Sequence, residues 1–261
     1  VFWSDLVANA PTFFLIFSRV FALASVAPLL SSAAIPGAAR AGFTLLVTFV
    51  VFPVTQMYPV PDVALMYLLL VVGEVFIGLI YGFVIQIVYA AFQTAGQFFS
   101  MQMGFSASMV FDPMSQEELP LLGQYFNLGA MFLFLTSGGL QKTFLGGVQY
   151  SFRTISAYQI ASAGEQWLSF FIGAMGVLFQ QALVLAFPII GTLFLVSLSM
   201  GLLAKAAPQM NLLMLGFPIS ITVAFVVLIL VMPLILESFI GLIEQAFVEA
   251  SFLLKIQGAT P

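Results

Sequence analysis

Apolar residues in this chain come in long runs, separated by short stretches rich in Gly, Pro and polar side chains. A membrane-spanning helix needs about 20 mainly apolar residues, because each adds about 1.5 Å against a hydrocarbon layer of about 30 Å. The first such run extends from Leu6 to Leu30 and stops at SSAAIPGAAR, where Pro36 and Gly37 break a helix. A second runs from Ala41 to Tyr58 and closes in the turn YPVPD, and a third runs from Val63 to Ala91. Leu121 to Leu140 forms a fourth, followed by the Gly-rich SGGLQKTFLGG and a polar region over 149–166. Two further runs, 167–203 and 212–235, complete the set, with an amphipathic tail reaching Lys255. The pattern predicts five or six long helices and an all-α fold.

Residues 92–111 break the pattern. FQTAGQFFSMQMGFSASMVF is rich in Gly, Ser, Gln and Met, a poor surface for lipid, and the polar DPMSQEELP follows it, punctuated by Pro113 and Pro120. This predicts an irregular insert over 92–120. The run at 167–203 would exceed 50 Å if straight, roughly 37 residues at about 1.5 Å each. It must tilt, break at Pro188, or pack partly on protein. Pro188, Pro218 and Pro233 each remove a helix hydrogen bond and favour a kink. In hydrocarbon the freed carbonyls need partners, which favours helix–helix burial or a lined cavity.

Composition turns this pattern into a class. Hydrophobic residues make up 62% of the 261 positions and charged ones 6%. A soluble domain with about a quarter charged residues can coat its surface, and this chain cannot. It is a polytopic membrane protein. With no Cys and no His, disulfides, Cys- or His-ligated zinc, thiol nucleophiles and imidazole bases are all excluded. A net charge of −4 with six scattered Lys and Arg argues against a nucleic-acid partner. Enzyme motifs such as GxSxG, the P-loop, GxGxxG and HExxH are absent, so no catalytic, cofactor or metal residues are assigned. The N-terminal VFWSD lacks the basic segment of a signal peptide and the apolar run behind it is too long for one, so the first run counts as structure; without an initiator Met, the chain reads as trimmed. Asp5 before the first run and Arg40 after it place the first loop in the cytoplasm and the N-terminus outside.

Arg19, Glu74, Lys205 and Glu237 interrupt or closely flank the apolar runs. A central Arg costs about 2.5–3.5 kcal/mol on the insertion scale. The thirteen Leu, Ile, Val and Phe of 6–30 offset it by roughly 4–8 kcal/mol. The four charges read either as a proton or ion relay, or as buried pairs and contacts with another subunit. Gly78 and Gly82 in GLIYG have the spacing that lets two helices approach closely. Asp112, Glu117 and Glu118 read as a solvated turn, with an acid/base pair as the sharper alternative. Met101, Met103, Phe105, Met109 and Phe111 read either as ordinary apolar contacts or as a deformable constriction that seals around a passing chain.

Two stretches carry a family resemblance. GQFFSMQMGFSASMVFDP at 96–113 resembles the GQ-x-x-S-x-QMG run ending in DP of the FliR family, whose injectisome members are called SctT or YscT. GLLAKAAPQMNLLMLGFPISITV at 201–223 is similar to that family's GLL-x-(K/R)-x-APQ-(M/L)-x-x-x-x-x-GFP pattern. FSRVFALASVAP at 17–28 and LFLTSGG at 133–139 extend the likeness along the chain. Many members carry a His after the LFL-x-x-x-G run; Leu140 or Gln141 stands there in this chain, which leaves a proton-sensing His without support. Residues 173–253 also have the outline of FliQ, a two-helix partner, and the rest would correspond to a FliP-like unit.

The resemblance implies long kinked helical hairpins, with a FliP-like unit over 1–166 fused to a FliQ-like hairpin and tail over 167–261. It implies a subunit of the export gate of flagellar type III secretion in the bacterial inner membrane, at the flagellar basal body. FliP and FliQ would be its partners in a closed helical assembly, with FlhB wrapping the cytoplasmic side and FlhA as neighbour. Unfolded flagellar proteins would be the transient cargo. By the same analogy, residues 96–120 would form a plug through Met101, Met103, Phe105, Met109 and Phe111. Lys205, Pro208 and Gln209 would form the turn of the FliQ-like hairpin and serve assembly. Two rivals stand beside this reading: a virulence-secretion homologue of the same family, and a small-solute transporter coupled through Arg19, Glu74, Lys205 and Glu237.

Overall fold

A computed structural model describes residues 9–32, 34–55, 60–103, 121–154, 164–209 and 212–258. Every regular element among them is helical: α1 (Ala10–Val26), α2 (Gly37–Val51), α3 (Ala64–Gln102), α4 (Leu121–Thr136), α5 (Gly139–Gln141), α6 (Val148–Thr154), α7 (Gly164–Ala206) and α8 (Leu212–Gly258). One 3₁₀ turn (Phe52–Val54) follows α2, and a π-helical segment (Lys142–Gly147) joins α5 to α6. Four helical stretches are long and apolar enough to cross a membrane: Gly37–Val54, Ala64–Gln102, Phe171–Ala206 and Met214–Gln245. The expected fold class holds, with four such stretches among the described residues against the five or six anticipated. The shortfall lies in α1 and α4, 17 and 16 residues long, each about 25 Å at 1.5 Å per residue and short of a full hydrocarbon layer.

The described residues group into two compact units, one drawn from Val1–Val88, Leu133–Ala174 and Leu242–Pro261, the other from Tyr89–Phe132 and Met175–Gly241. In the first, α1 buries Leu15, Ile16, Arg19, Val20 and Leu23, spaced by three and four as one helix face requires. It packs against α2, which buries Thr44, Val47, Thr48 and Val51. Phe13, at the start of α1, meets Phe49 and Phe52 at the end of α2, with ring centroids 4.9 and 5.6 Å apart. The two helices are therefore antiparallel. Between them Leu29 takes a left-handed conformation (φ 74°), and Arg40 Nε donates to the Leu30 carbonyl at 2.7 Å, holding that turn closed.

Hydroxyls in the apolar helices satisfy themselves locally. Ser18, Ser25, Thr44 and Thr48 donate to carbonyls three or four residues back on their own helix, which removes the cost of an unpaired polar group in an apolar setting.

The second unit is built on aromatic packing. Phe92 stands 4.3 Å from Phe239 and 5.3 Å from Phe126, and Phe99 stands 5.1 Å from Phe126, centroid to centroid. These contacts correct the expectation of an irregular insert. Residues 92–102 continue α3 as helix. The reason is a period hidden by the polar composition: Phe92, Ala95, Phe99 and Met103 are all buried and fall three to four residues apart. Ser100 Oγ donates to the Gly96 carbonyl at 3.1 Å, so the polar residues also fit a helix. Residues 104–120 lie outside the described residues.

α7 and α8 run without interruption through Pro188, Pro218 and Pro233. Of the three outcomes anticipated for 167–203, a break at Pro188 is thus ruled out. At two of these prolines a Thr follows four residues later: Thr192 Oγ1 donates to the Pro188 carbonyl and Thr222 Oγ1 to the Pro218 carbonyl, each at 2.7 Å. Threonines bonded back in this way accompany helix bending.

Candidate functional site

The one ion pair between described residues joins α1 to α3. Arg19 Nε donates to Glu74 Oε2 at 2.5 Å, with the two side chains 1% and 0% exposed. The Arg19 Nη1 donates to Ser151 Oγ on α6 at 3.0 Å, and Ser151 Oγ in turn donates to the Val148 carbonyl at 2.7 Å. The guanidinium carbon lies 3.7 Å above the centre of the Phe152 ring, a stacked cation–π arrangement suited to a planar cation. One buried side chain thus ties together three helices whose contributing residues are 55 and 132 positions away in sequence.

Gly78 and Gly82 make this approach possible. A methyl group on Gly78 would run into the Arg19 carbonyl, and would sit 2.9 Å from Ala22 Cβ and 3.0 Å from the Leu23 nitrogen. On Gly82 it would fall 2.8 Å from the Leu23 carbonyl and 3.1 Å from Val26 Cβ. Glu74, Gly78 and Gly82 form one face of α3 at four-residue spacing, and they meet Arg19, Leu23 and Val26 in ascending order. α1 and α3 are therefore parallel, as an up-down-up path through antiparallel α2 requires. The GLIYG spacing is a real packing seam.

Lys205 and Glu237 belong to the second unit, where both are exposed. Lys205 occupies the last turn of α7, and Pro208 and Gln209 form the turn that follows it, before α8. Met101 is exposed near the end of α3, whereas Met103 is fully buried. Phe105, Met109 and Phe111 lie outside the described residues, as do Asp112, Glu117 and Glu118. Among the described residues, no group of three or more acidic side chains could hold a metal ion. Ser151 and Phe152 were not singled out from the sequence. Their only signal was an unremarkable polar stretch, because a cross-helix contact between distant residues has no local pattern.

The family model for bacterial export proteins, family 1, matches residues 10–246. The chain belongs to this family. The flagellar biosynthetic protein FliR of Bacillus subtilis (strain 168) is 34% identical over 227 residues, spanning 86% of this chain and 87% of its own. FliR of Escherichia coli (strain K12) is 33% identical over 228 residues, 83% of this chain and 82% of its own. The Yop proteins translocation protein T of Yersinia pestis is 26% identical over 225 residues, 84% of this chain and 85% of its own. Both the Arg19–Glu74 pair and the glycine seam fall inside the matched region. This member of the family is a helical export protein with membrane-spanning segments.

Proposed function

We propose that this chain is a subunit of the flagellar type III protein export gate in the bacterial inner membrane, at the flagellar basal body. The observation that carries the reading is the family match over 10–246, with 34% and 33% identity to two flagellar FliR proteins. In this reading the chain joins FliP and FliQ to line a channel for unfolded flagellar proteins, with FlhB and FlhA as neighbours in the export apparatus. Its N-terminal part, 1–166, stands in for a FliP-like unit and 167–261 for a FliQ-like hairpin. The distribution of burial supports an assembled role: of an apolar 18-residue stretch within each helix, 22% is buried in Phe171–Ala206 and 17% in Met214–Gln245, against 56% in Ala64–Gln102. α7 and α8 offer broad apolar faces to partner helices and lipid. Met101, exposed at the end of α3, leads into the segment assigned to the plug, with Met103, Phe105, Met109 and Phe111. Lys205, Pro208, Gln209 and Glu237, exposed in this chain, are assigned to assembly.

The virulence-secretion reading is the second choice, since the Yersinia protein is 26% identical where the two flagellar proteins reach 33–34%. A solute carrier coupled through four charges has less support, because Arg19 and Glu74 are already bonded to each other. Co-purification from detergent with FliP and FliQ, read by native mass spectrometry, tests the proposal. A discrete complex holding one copy of this chain among several partners is the expected result. A stable species of this chain alone, in the presence of both partners, would overturn it.

A further inference from the structure

The segment between α4 and α6 is poorly determined by its own sequence. Gly138 takes a left-handed conformation (φ 73°), α5 has three residues, Lys142–Gly147 is wound as a π-helix, and α6 has seven residues. Helices this short have no independent stability, because the first turn costs more order than its few hydrogen bonds return. π-helical turns are rare, and they mark places where tertiary contacts set the winding. Thr143, within the π segment, is fully buried with no partner for its hydroxyl among the described residues. A shift of winding by one residue would rotate α6 by about 100°. Something outside the segment must choose the rotation seen.

Two contacts with neighbouring helices precede α6. Phe144 packs edge-on against Phe43 of α2, at 5.2 Å between centroids. Gly147 admits the Tyr81 hydroxyl of α3, which a side chain there would displace. Both lie on the π segment, upstream of α6. Polar fixing of α6 itself comes from Arg19, through the 3.0 Å bond to Ser151 and the stacking on Phe152.

We propose that Arg19 is a positioning residue whose charge is cancelled by Glu74 and whose Nη1 donor and flat face fix the rotation of α6 beyond the π-helical turn. The pair is then a fastener and not a proton relay. It also explains why Arg stands there. A Lys could answer Glu74 as a point charge, but it has no planar fork to reach Ser151 as well and no flat face to stack on Phe152.

The chain has no Cys, so two introduced thiols carry two spin labels specifically. Labels at Phe14→Cys and Gln149→Cys report the α1–α6 distance in the full chain in lipid nanodiscs, by pulsed electron spin resonance. A second pair, Phe14→Cys and Leu46→Cys, reports α1–α2. The parent gives one narrow distance for each pair. Arg19→Lys and Ser151→Ala are expected to lose the single narrow α1–α6 peak and keep the α1–α2 peak. The pair Arg19→Met with Glu74→Leu, which removes both charges, gives the same outcome. If Arg19→Lys fails to insert, Ser151→Ala and Phe152→Leu carry the test. An α1–α6 peak that stays narrow in these variants overturns the proposal. Simultaneous broadening of both pairs also overturns it, since Arg19 would then hold the whole unit and not α6 in particular.

Discussion

Gly78→Ala tests the geometry of the α1–α3 seam most sharply, because two opposing effects can be weighed. Ala favours a helix over Gly by about 0.8–1.0 kcal/mol, so the change stabilises α3 taken alone. Against that, the added methyl meets main chain: the Arg19 carbonyl, with the Leu23 nitrogen at 3.0 Å. Backbone cannot swing aside as a side-chain tip can. Restoring an ordinary C···O contact of about 3.3 Å requires the helices to part by about 1 Å. Strain from overpacking of this kind costs about 1–3 kcal/mol. The same displacement stretches the 2.5 Å bond from Arg19 to Glu74 to about 3.5 Å, beyond the ordinary N–H···O range. A bond to a charged group contributes about 1.5–3 kcal/mol. The net is a loss of about 1.5–5 kcal/mol, at least a tenfold shift toward the unfolded state. Gly42→Ala is the control, since nothing lies within 4 Å of its added methyl and propensity alone predicts a gain of up to about 1 kcal/mol. Unfolding of the full chain in mixed micelles, titrated with SDS, measures both. A Gly78→Ala protein within about 0.5 kcal/mol of Gly42→Ala, on the scale of neutral surface changes, would refute the close approach described for α1 and α3.

Arg19→Met leaves Glu74 buried without its counter-charge and is expected to cost about 3–5 kcal/mol, whereas Arg19→Met with Glu74→Leu recovers most of that loss; chain abundance in membranes and the same SDS titration check this. Phe99→Ala empties a fully buried site beside Phe126 and is expected to cost about 3–5 kcal/mol. Met101→Ala, on an exposed side chain, is expected to change stability by less than about 0.5 kcal/mol, so reduced swimming in soft agar with normal chain abundance would locate its effect in export. Gly147→Ala collides with the Tyr81 hydroxyl and is expected to destabilise by about 1–3 kcal/mol; Tyr81→Phe, which removes the oxygen, recovers part of this, and a double-mutant cycle with no coupling would reject the contact.

The described hairpin turns follow from residues that act locally. Pro36 stands at the start of α2, and the APQ turn ends α7 near Lys205. The tail helix also continues past Lys255, as the amphipathic pattern indicates. The failure at 92–102 has the opposite cause. Polar Gln, Ser and Gly suggested loop chemistry, yet Phe92, Ala95, Phe99 and Met103 kept a helical period, and the two Phe rings found aromatic partners on α4 and α8. Packing overrode composition there, because burying two Phe rings outweighs a modest loss of helix propensity. The unbroken course of α7 through Pro188 belongs to the same class. One missing N–H leaves a helix intact when the residues on either side remain bonded and packed.

By itself the sequence determined the class of molecule and its membership in an export family, because both are written in features each residue carries alone: apolar length, the absence of Cys and His, and the order of the GQ…QMG…DP and APQ…GFP motifs. It also marked Arg19, Glu74, Gly78 and Gly82 as unusual. Only the tertiary structure decided that these four belong to one seam, that Lys205 and Glu237 are exposed, and that Ser151 and Phe152 complete the site. The physical reason is that a charge in an apolar helix signals its cost locally, while the partner that cancels the cost can come from any point along the chain.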